Sequence, residues 1–146
     1  PVLMAYINKV ARVHGERHPE LYEINKLFEE SALDLGHHME KEEKILFPYI
    51  EKLEETKSNP AAYVQPGFGS VQNPISMMIH EHETEGGRFA KIAELSDNYT
   101  APEDACNTYR VAFDMLRDFE QDLHKHIHLE NNILFPKSIR LEENTK

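Results

Sequence analysis

One segment of this chain is written twice. His38-x3-Glu42-x2-Ile45-Leu46-Phe47-Pro48 recurs as His126-x3-Glu130-x2-Ile133-Leu134-Phe135-Pro136. On an α-helix, residues i and i+4 stack one above the other on a single face. Each copy therefore aims one imidazole and one carboxylate in the same direction. Two such helices facing each other offer two ring nitrogens and two carboxylates, a cage suited to a pair of metal ions.

The rest of the pattern supplies those helices. Leu3, Ile7, Val10 and His14 make a first stripe over about Pro1–Gly15, stopped at His18-Pro19 because a residue before proline avoids the helical region. A second stripe runs Leu21, Ile24, Phe28, Ser31, Leu35, His38, Glu42, Ile45, Tyr49, predicting a helix over Glu20–Glu55 with a kink at Pro48. Pro60, Pro66, Gly67 and Gly69 mark Ser58–Asn73 as a loop or lid. Asn73-Pro74 then reads as an N-cap with proline at the first helical position. The stripe that follows is Ile75, Met78, His82, Glu85 or Gly86, Phe89, Ile92, Ser96. After a short link, Pro102 and two acidic residues suit a helix start, with Tyr109, Ala112, Leu116, Phe119, Leu123, His126, Glu130 and Ile133 as its stripe. No alternating Val/Ile/Thr-rich run predicts a strand. The expected fold is all-α, an antiparallel four-helix bundle formed as a single domain over 1–146.

These stripes sort the nine histidines. His14, His38, His82 and His126 each continue an apolar stripe. His37 is one position off, about 100° round the helix, and His80, His124 and His128 also fall off the stripes, so these four are expected on the surface. A single histidine on an apolar face is most often a hydrogen-bonded core residue. Four of them joined by Glu42 and Glu130 read differently, because a buried ionised carboxylate costs several kcal/mol unless a cation compensates. No lysine or arginine shares these stripes beside the two glutamates. The metal-site reading therefore includes His14, His38, Glu42, His82, His126 and Glu130.

Other metal motifs fail. His80-Glu81-His82-Glu83 is followed by Thr84 and is not His-Glu-x-x-His. No histidine has a glutamate three residues before it, so the Glu-x-x-His pairs of ferritin-like bundles are missing. The i, i+4 pairs His14/His18 and His124/His128 have zinc-gripping spacing, but the second points away from the stripe. Imidazole and carboxylate without thiolate suit iron, manganese or zinc. Zinc prefers four ligands; four histidines and two bridging carboxylates favour two six-coordinate ions, which points to non-haem iron. Such a pair offers about twelve positions, of which these ligands and one oxo or hydroxo bridge fill about ten, leaving about two for a small molecule such as O2 or NO.

Composition closes several alternatives. With 26 acidic against 16 basic residues and a formal charge of −10, the 146-residue chain is a poor partner for nucleic acid or an anionic membrane. No apolar run is long enough to span a bilayer. The lone Cys106 excludes an internal disulfide framework and a thiolate cluster, and a reducing cytoplasm is the expected compartment.

The segments around His14, His38-Met-Glu-Lys-Glu42, His80-Glu-His82-Glu and His126-Ile-His-Leu-Glu130-Asn-Asn-Ile-Leu-Phe-Pro136 resemble the hemerythrin-like domain of the RIC family, also called YtfE/ScdA. The resemblance covers essentially the whole chain. It implies a four-helix bundle around an oxo-bridged di-iron centre. It also implies cytoplasmic repair of iron-sulfur clusters damaged by nitric oxide or oxidants, with iron donation as the route and damaged iron-sulfur proteins as partners. The family's ligands carry over to the same six residues. One further family histidine falls about twenty residues before the position of His14, and a small Cys-Cys domain precedes it in many members; the expectation is that an upstream segment is missing here. The competing reading is a carrier or sensor of O2 or NO, as in hemerythrins proper. A metal-free structural bundle would leave Glu42 and Glu130 buried without compensation.

Overall fold

A computed structural model describes residues 2–58 and 70–145. Six α-helices follow in order: α1 Val2–His14, α2 Glu20–Lys41, α3 Phe47–Ser58, α4 Gln72–Leu95, α5 Asn107–Leu129 and α6 Phe135–Thr145. A five-residue π-helical turn joins α2 to α3 (Glu42–Leu46), and another joins α5 to α6 (Glu130–Leu134). No strand occurs among the described residues. The fold class is all-α, and the four helical stretches read from the stripes are present. Of the expected loop Ser58–Asn73, residues 59–69 lie outside the described residues.

Several boundaries differ from expectation; α4 opens at Gln72, whose N–H donates to Ser70 Oγ, so Asn73, read as the N-cap, lies inside the helix. The last stretch begins at Asn107, five residues beyond Pro102. Pro102 and its acidic neighbours build a turn instead: the Pro102 carbonyl accepts from Ala105 N at 3.1 Å, and the Asp104 carboxylate is taken by His18 Nε2 at 3.0 Å. The irregularity expected at Pro48 comes earlier, as the π turn. Proline cannot donate to the carbonyl four residues back, and the wider turn, closed by Phe47 N–H donating to Glu42 O, redistributes the bonds before the ring arrives.

The chain forms two compact units, Pro1–Asp34 with Thr84–Lys125 and Leu35–Glu83 with His126–Lys146. In the first, Ile7, Val10, Leu21, Ile24, Ile92, Tyr109 and Leu116 bury the stripes. Phe28, Phe89 and Phe119 form an aromatic knot with centroids 5.4–6.4 Å apart. Gly15 is required here: a Cβ would collide with the Tyr22 ring and the Ala11 carbonyl. After α4, Asp97, Asn98 and Tyr99 all have positive φ, an unfavourable run for non-glycine residues. Tyr99 N–H donates to Ser96 Oγ at 2.9 Å and Arg117 donates to the Tyr99 carbonyl, which hold the run in place.

In the second unit the apolar cluster is Leu46, Tyr49, Leu53, Val71, Ile75, Met78 and Phe135. Buried Glu142 accepts from Tyr49 OH (2.6 Å), Ser70 Oγ (2.6 Å) and Val71 N (2.7 Å), tying α6 to α3 and to the start of α4. No helix among the described residues is long and apolar enough to cross a membrane.

Candidate metal centre

Both π turns open on the glutamate of the repeated motif, Glu42 in one and Glu130 in the other, and each glutamate is only 3% exposed. A π turn advances less rotation per residue than an α turn, so the isoleucines within it leave the stripe that an unbroken helix predicts. Ile45 and Ile133, expected inside, stand 48% and 52% exposed. Leu46 and Phe135 are buried in their place. The wide turn thus turns the chain after the carboxylate without disturbing the histidine one turn before it.

Four of the six expected residues come together. His38, Glu42, His82 and Glu130 are all buried, and one ligating atom from each lies within 4.8 Å of all the others. His38 Nε2 stands 3.2 Å from His82 Nε2 and 3.0 Å from Glu42 Oε1. Glu130 Oε1 lies 3.0 Å from His82 Nε2, 2.9 Å from His126 Nε2 and 3.7 Å from His38 Nε2. His126 reaches the cluster through Glu130, but its side chain is 48% exposed, off the buried face its stripe predicted. His14 belongs to the other compact unit, where its Nε2 meets Cys106 Sγ at 3.2 Å and its ring stands edge-on to Tyr109. His37, His80, His124 and His128 are exposed.

The outward nitrogens of the two buried imidazoles are held. His38 Nδ1 meets Glu81 Oε2 at 2.6 Å, and Lys41 Nζ donates to the other oxygen of Glu81. His82 Nδ1 meets Asn131 Oδ1 at 2.8 Å, and its ring stacks on Phe135 at 5.9 Å and 7°. With Nδ1 donating outward, each Nε2 faces the centre, where its lone pair becomes available to a cation once the ring is neutral. The stripe reading missed Glu81 and Asn131. Each is the immediate neighbour of a stripe residue, about 100° off the seam, and its role becomes visible only when the opposite helix is in place. Glu85, left open against Gly86, is the buried one, and Arg88 Nη1 bridges it to Asp34 at 2.6 Å each.

Electrostatics describe an anion-rich pocket. Burial lowers the pKa of His38, but hydrogen bonds to Glu130, Glu42 and Glu81 outweigh it and push the imidazole up to about 10. Burial raises Glu42, and its contact with Glu130 adds to that. Glu130 is held well below the usual carboxylate range, since its bonds to His38 and His82 overcome its own burial. A cation fits this donor set. Glu42 Oε1 and Glu130 Oε2 are buried with no hydrogen bond. Two Nε2 atoms 3.2 Å apart also need a proton or a metal between them. The donors are nitrogen and oxygen without sulfur, the set that suits iron, manganese or zinc.

Comparison with known proteins agrees. Residues 2–138 match the model of the Hemerythrin HHE cation binding domain. The chain is 39% identical over 143 residues to the iron-sulfur cluster repair protein YtfE of Musicola paradisiaca (strain Ech703), covering 97% of this chain and 58% of that protein. Its likeness to the YtfE proteins of Yersinia pseudotuberculosis serotype IB (strain PB1/+) and Yersinia pestis (strain Pestoides F) is also 39%, over 147 residues and with the same shares. The chain thus spans 58% of the length of these relatives.

Proposed function

We propose, because this chain belongs to the Hemerythrin HHE cation binding domain family, that it holds a pair of non-haem iron ions and serves the repair of iron-sulfur clusters damaged by nitric oxide or oxidants. The family accounts for the fold, a hemerythrin-like all-α bundle. The observation that carries the reading is the convergence of His38, Glu42, His82 and Glu130 in a buried pocket where one oxygen of each carboxylate has no hydrogen bond. In this reading His38 and His82 would be the buried nitrogen ligands, Glu42 and Glu130 would supply the carboxylates, and His126 beside Glu130 and His14 would complete the six-residue set. His14 stays in the proposed set as read from the sequence; within its own unit its Nε2 lies beside Cys106 Sγ.

Iron bound here supplies Lewis acidity, redox capacity and open positions for NO or O2. The protein's own residues hold the ring tautomers through Glu81 and Asn131 and exclude water from the buried donors. Damaged iron-sulfur proteins are the partners, and the cytoplasm is where the reading places the work.

Metal analysis, an optical spectrum and a repair assay test this. The purified chain should carry close to two irons. It should restore activity to a nitric-oxide-treated iron-sulfur enzyme in proportion to iron content, and that content should fall in His38→Ala. An iron-replete chain that repairs nothing but binds O2 reversibly would hand the function to the carrier reading.

A further inference from the structure

We infer that Glu81, backed by Lys41, is a positioning residue that makes His38 the stronger of the two buried imidazole anchors, and that Asn131 gives His82 only a weaker version of the same support. This rests on the metal-site reading above and asks how firmly the site holds its cargo.

A ligating imidazole turns one nitrogen inward and must find an acceptor for the N–H on the other. That acceptor fixes the ring and raises its donor strength. The two buried histidines have solved this with unlike chemistry. His38 Nδ1 faces a carboxylate oxygen at 2.6 Å, whereas His82 Nδ1 faces a neutral amide oxygen at 2.8 Å. An ionised acceptor makes a shorter and stronger bond than a neutral one, so more electron density is pushed toward His38 Nε2 than toward His82 Nε2.

The carboxylate is itself braced. Lys41 holds the second oxygen of Glu81. Lys41 and His38 leave α2 from positions three apart and so share a face, with Glu81 reaching both from α4. Three side chains on two helices close a triangle that includes a metal ligand. Among the described residues no ionic group meets Asn131. Its amide also retains the option of presenting NH2 instead of oxygen. Residues 81 and 82 divide the labour within one dipeptide of α4: His82 enters the pocket while Glu81 steadies the histidine across from it.

Release of iron from the loaded chain to an excess of a ferrous chelator reads this directly. Glu81→Gln keeps the shape but removes the charge, and should speed release about 10- to 100-fold, the usual cost of losing such an outer partner. Lys41→Met should speed it less. Asn131→Asp gives His82 a carboxylate and should slow it below wild type. Glu83→Gln removes the same charge from an exposed neighbour and should change nothing. Cobalt-loaded protein gives a second readout, since its visible bands should shift in Glu81→Gln and not in Glu83→Gln. Equal rates and spectra for these two variants overturn the brace while leaving the metal site standing. A wild type that binds no iron overturns the metal reading, and this inference with it.

Discussion

The two copies of the repeated motif share a backbone but not a surrounding. Each turns π at its glutamate, buries that carboxylate to the same degree and throws its isoleucine out to solvent. Their histidines part company. His38 is 4% exposed and gripped on its outer nitrogen; His126 is 48% exposed and pairs with Glu130. A motif therefore sets where a carboxylate points, through local geometry. What its histidine becomes is set by the residues that face it, and only the first copy has Glu81 opposite.

If the carboxylates of both copies are there for a cation, the largest effect should come from taking the cation away. Metal present at about a thousandfold over its dissociation constant stabilises by about 4 kcal/mol, worth about 10 °C in melting temperature for a chain of this size. Chelation should lower the melting point by at least this much, since Glu42 and Glu130 are then left buried together. Calorimetry before and after confirmed metal loss checks it, and an unchanged melting point would remove the reason for burying both.

The π turns come next. Leu46 and Ile45 are adjacent, and an unbroken helix would bury the second; the structure buries the first. Leu46→Ala should cost about 2–5 kcal/mol in a denaturant titration, whereas Ile45→Ala should stay within about 0.5 kcal/mol. The same contrast is expected for Phe135 against Ile133. A reversed order would restore the straight stripe.

This is where the sequence stopped being legible. The 3-4 spacing located all four helical stretches. In α4 it also located the buried residues Ile75, Met78, His82, Phe89, Ile92 and Ser96. It missed Ile45 and Ile133 because a π turn changes the period without a compositional mark, the Ile-Leu-Phe run offering an apolar residue at either register, whereas Tyr49 beyond the first turn is buried as the stripe expects. The start of α5 was hidden for another reason. Pro102-Glu103-Asp104 has the composition of a first helical turn, but His18 claims Asp104 from far away in the chain. Glu81 and Asn131 were invisible because a brace is defined by the opposite helix. Within the site, the four residues that cluster, His38, Glu42, His82 and Glu130, were readable from period and chemistry, and the residues that hold the outer ring nitrogens were not.

Truncating the two unlike histidines measures their inequality. His38→Ala removes a buried imidazole of the proposed metal set and leaves Glu81 and Lys41 to each other, while His126→Ala opens a side already wet. The first should weaken iron binding about 10- to 100-fold more than the second, equivalent to about 1.4–2.7 kcal/mol. Competition titration against a calibrated chelator gives the ratio, and equal losses would make the copies functionally alike.

Without metal, the pH profile should carry the mark of the gripped histidine. His38 is raised from its ordinary 6.5 to about 10, so the stability it contributes is fully present below pH 6.5 and is lost as pH rises through about 10. Glu130 is lowered, so its contribution is present above the ordinary carboxylate range and is lost as pH falls through its depressed value. Glu42, raised, opposes Glu130 and narrows the acid side. Metal-free protein should therefore lose stability progressively from neutrality toward pH 10, and His38→Gln should flatten that limb. A limb that persists unchanged in the variant would assign it to another group.

The smallest effects belong to the histidines that stand next to the motif copies without joining them. His37 precedes His38 by one residue, and His128 follows His126 by two; both are exposed, and His128 spends its ring on Asn132, with Nδ1 2.9 Å from the Asn132 amide nitrogen. A side chain about 100° or more from the seam cannot reach a donor set whose atoms all lie within 4.8 Å of one another. His37→Ala and His128→Ala should therefore hold iron stoichiometry at the wild-type value and move stability by less than about 0.5 kcal/mol. This null result is the sharpest control on the comparison, because the bystanders share local sequence, charge and helix with the ligands and differ only in facing. Were either variant to shed iron as readily as His38→Ala, the facing of residues along α2 and α5 would no longer explain which histidines bind.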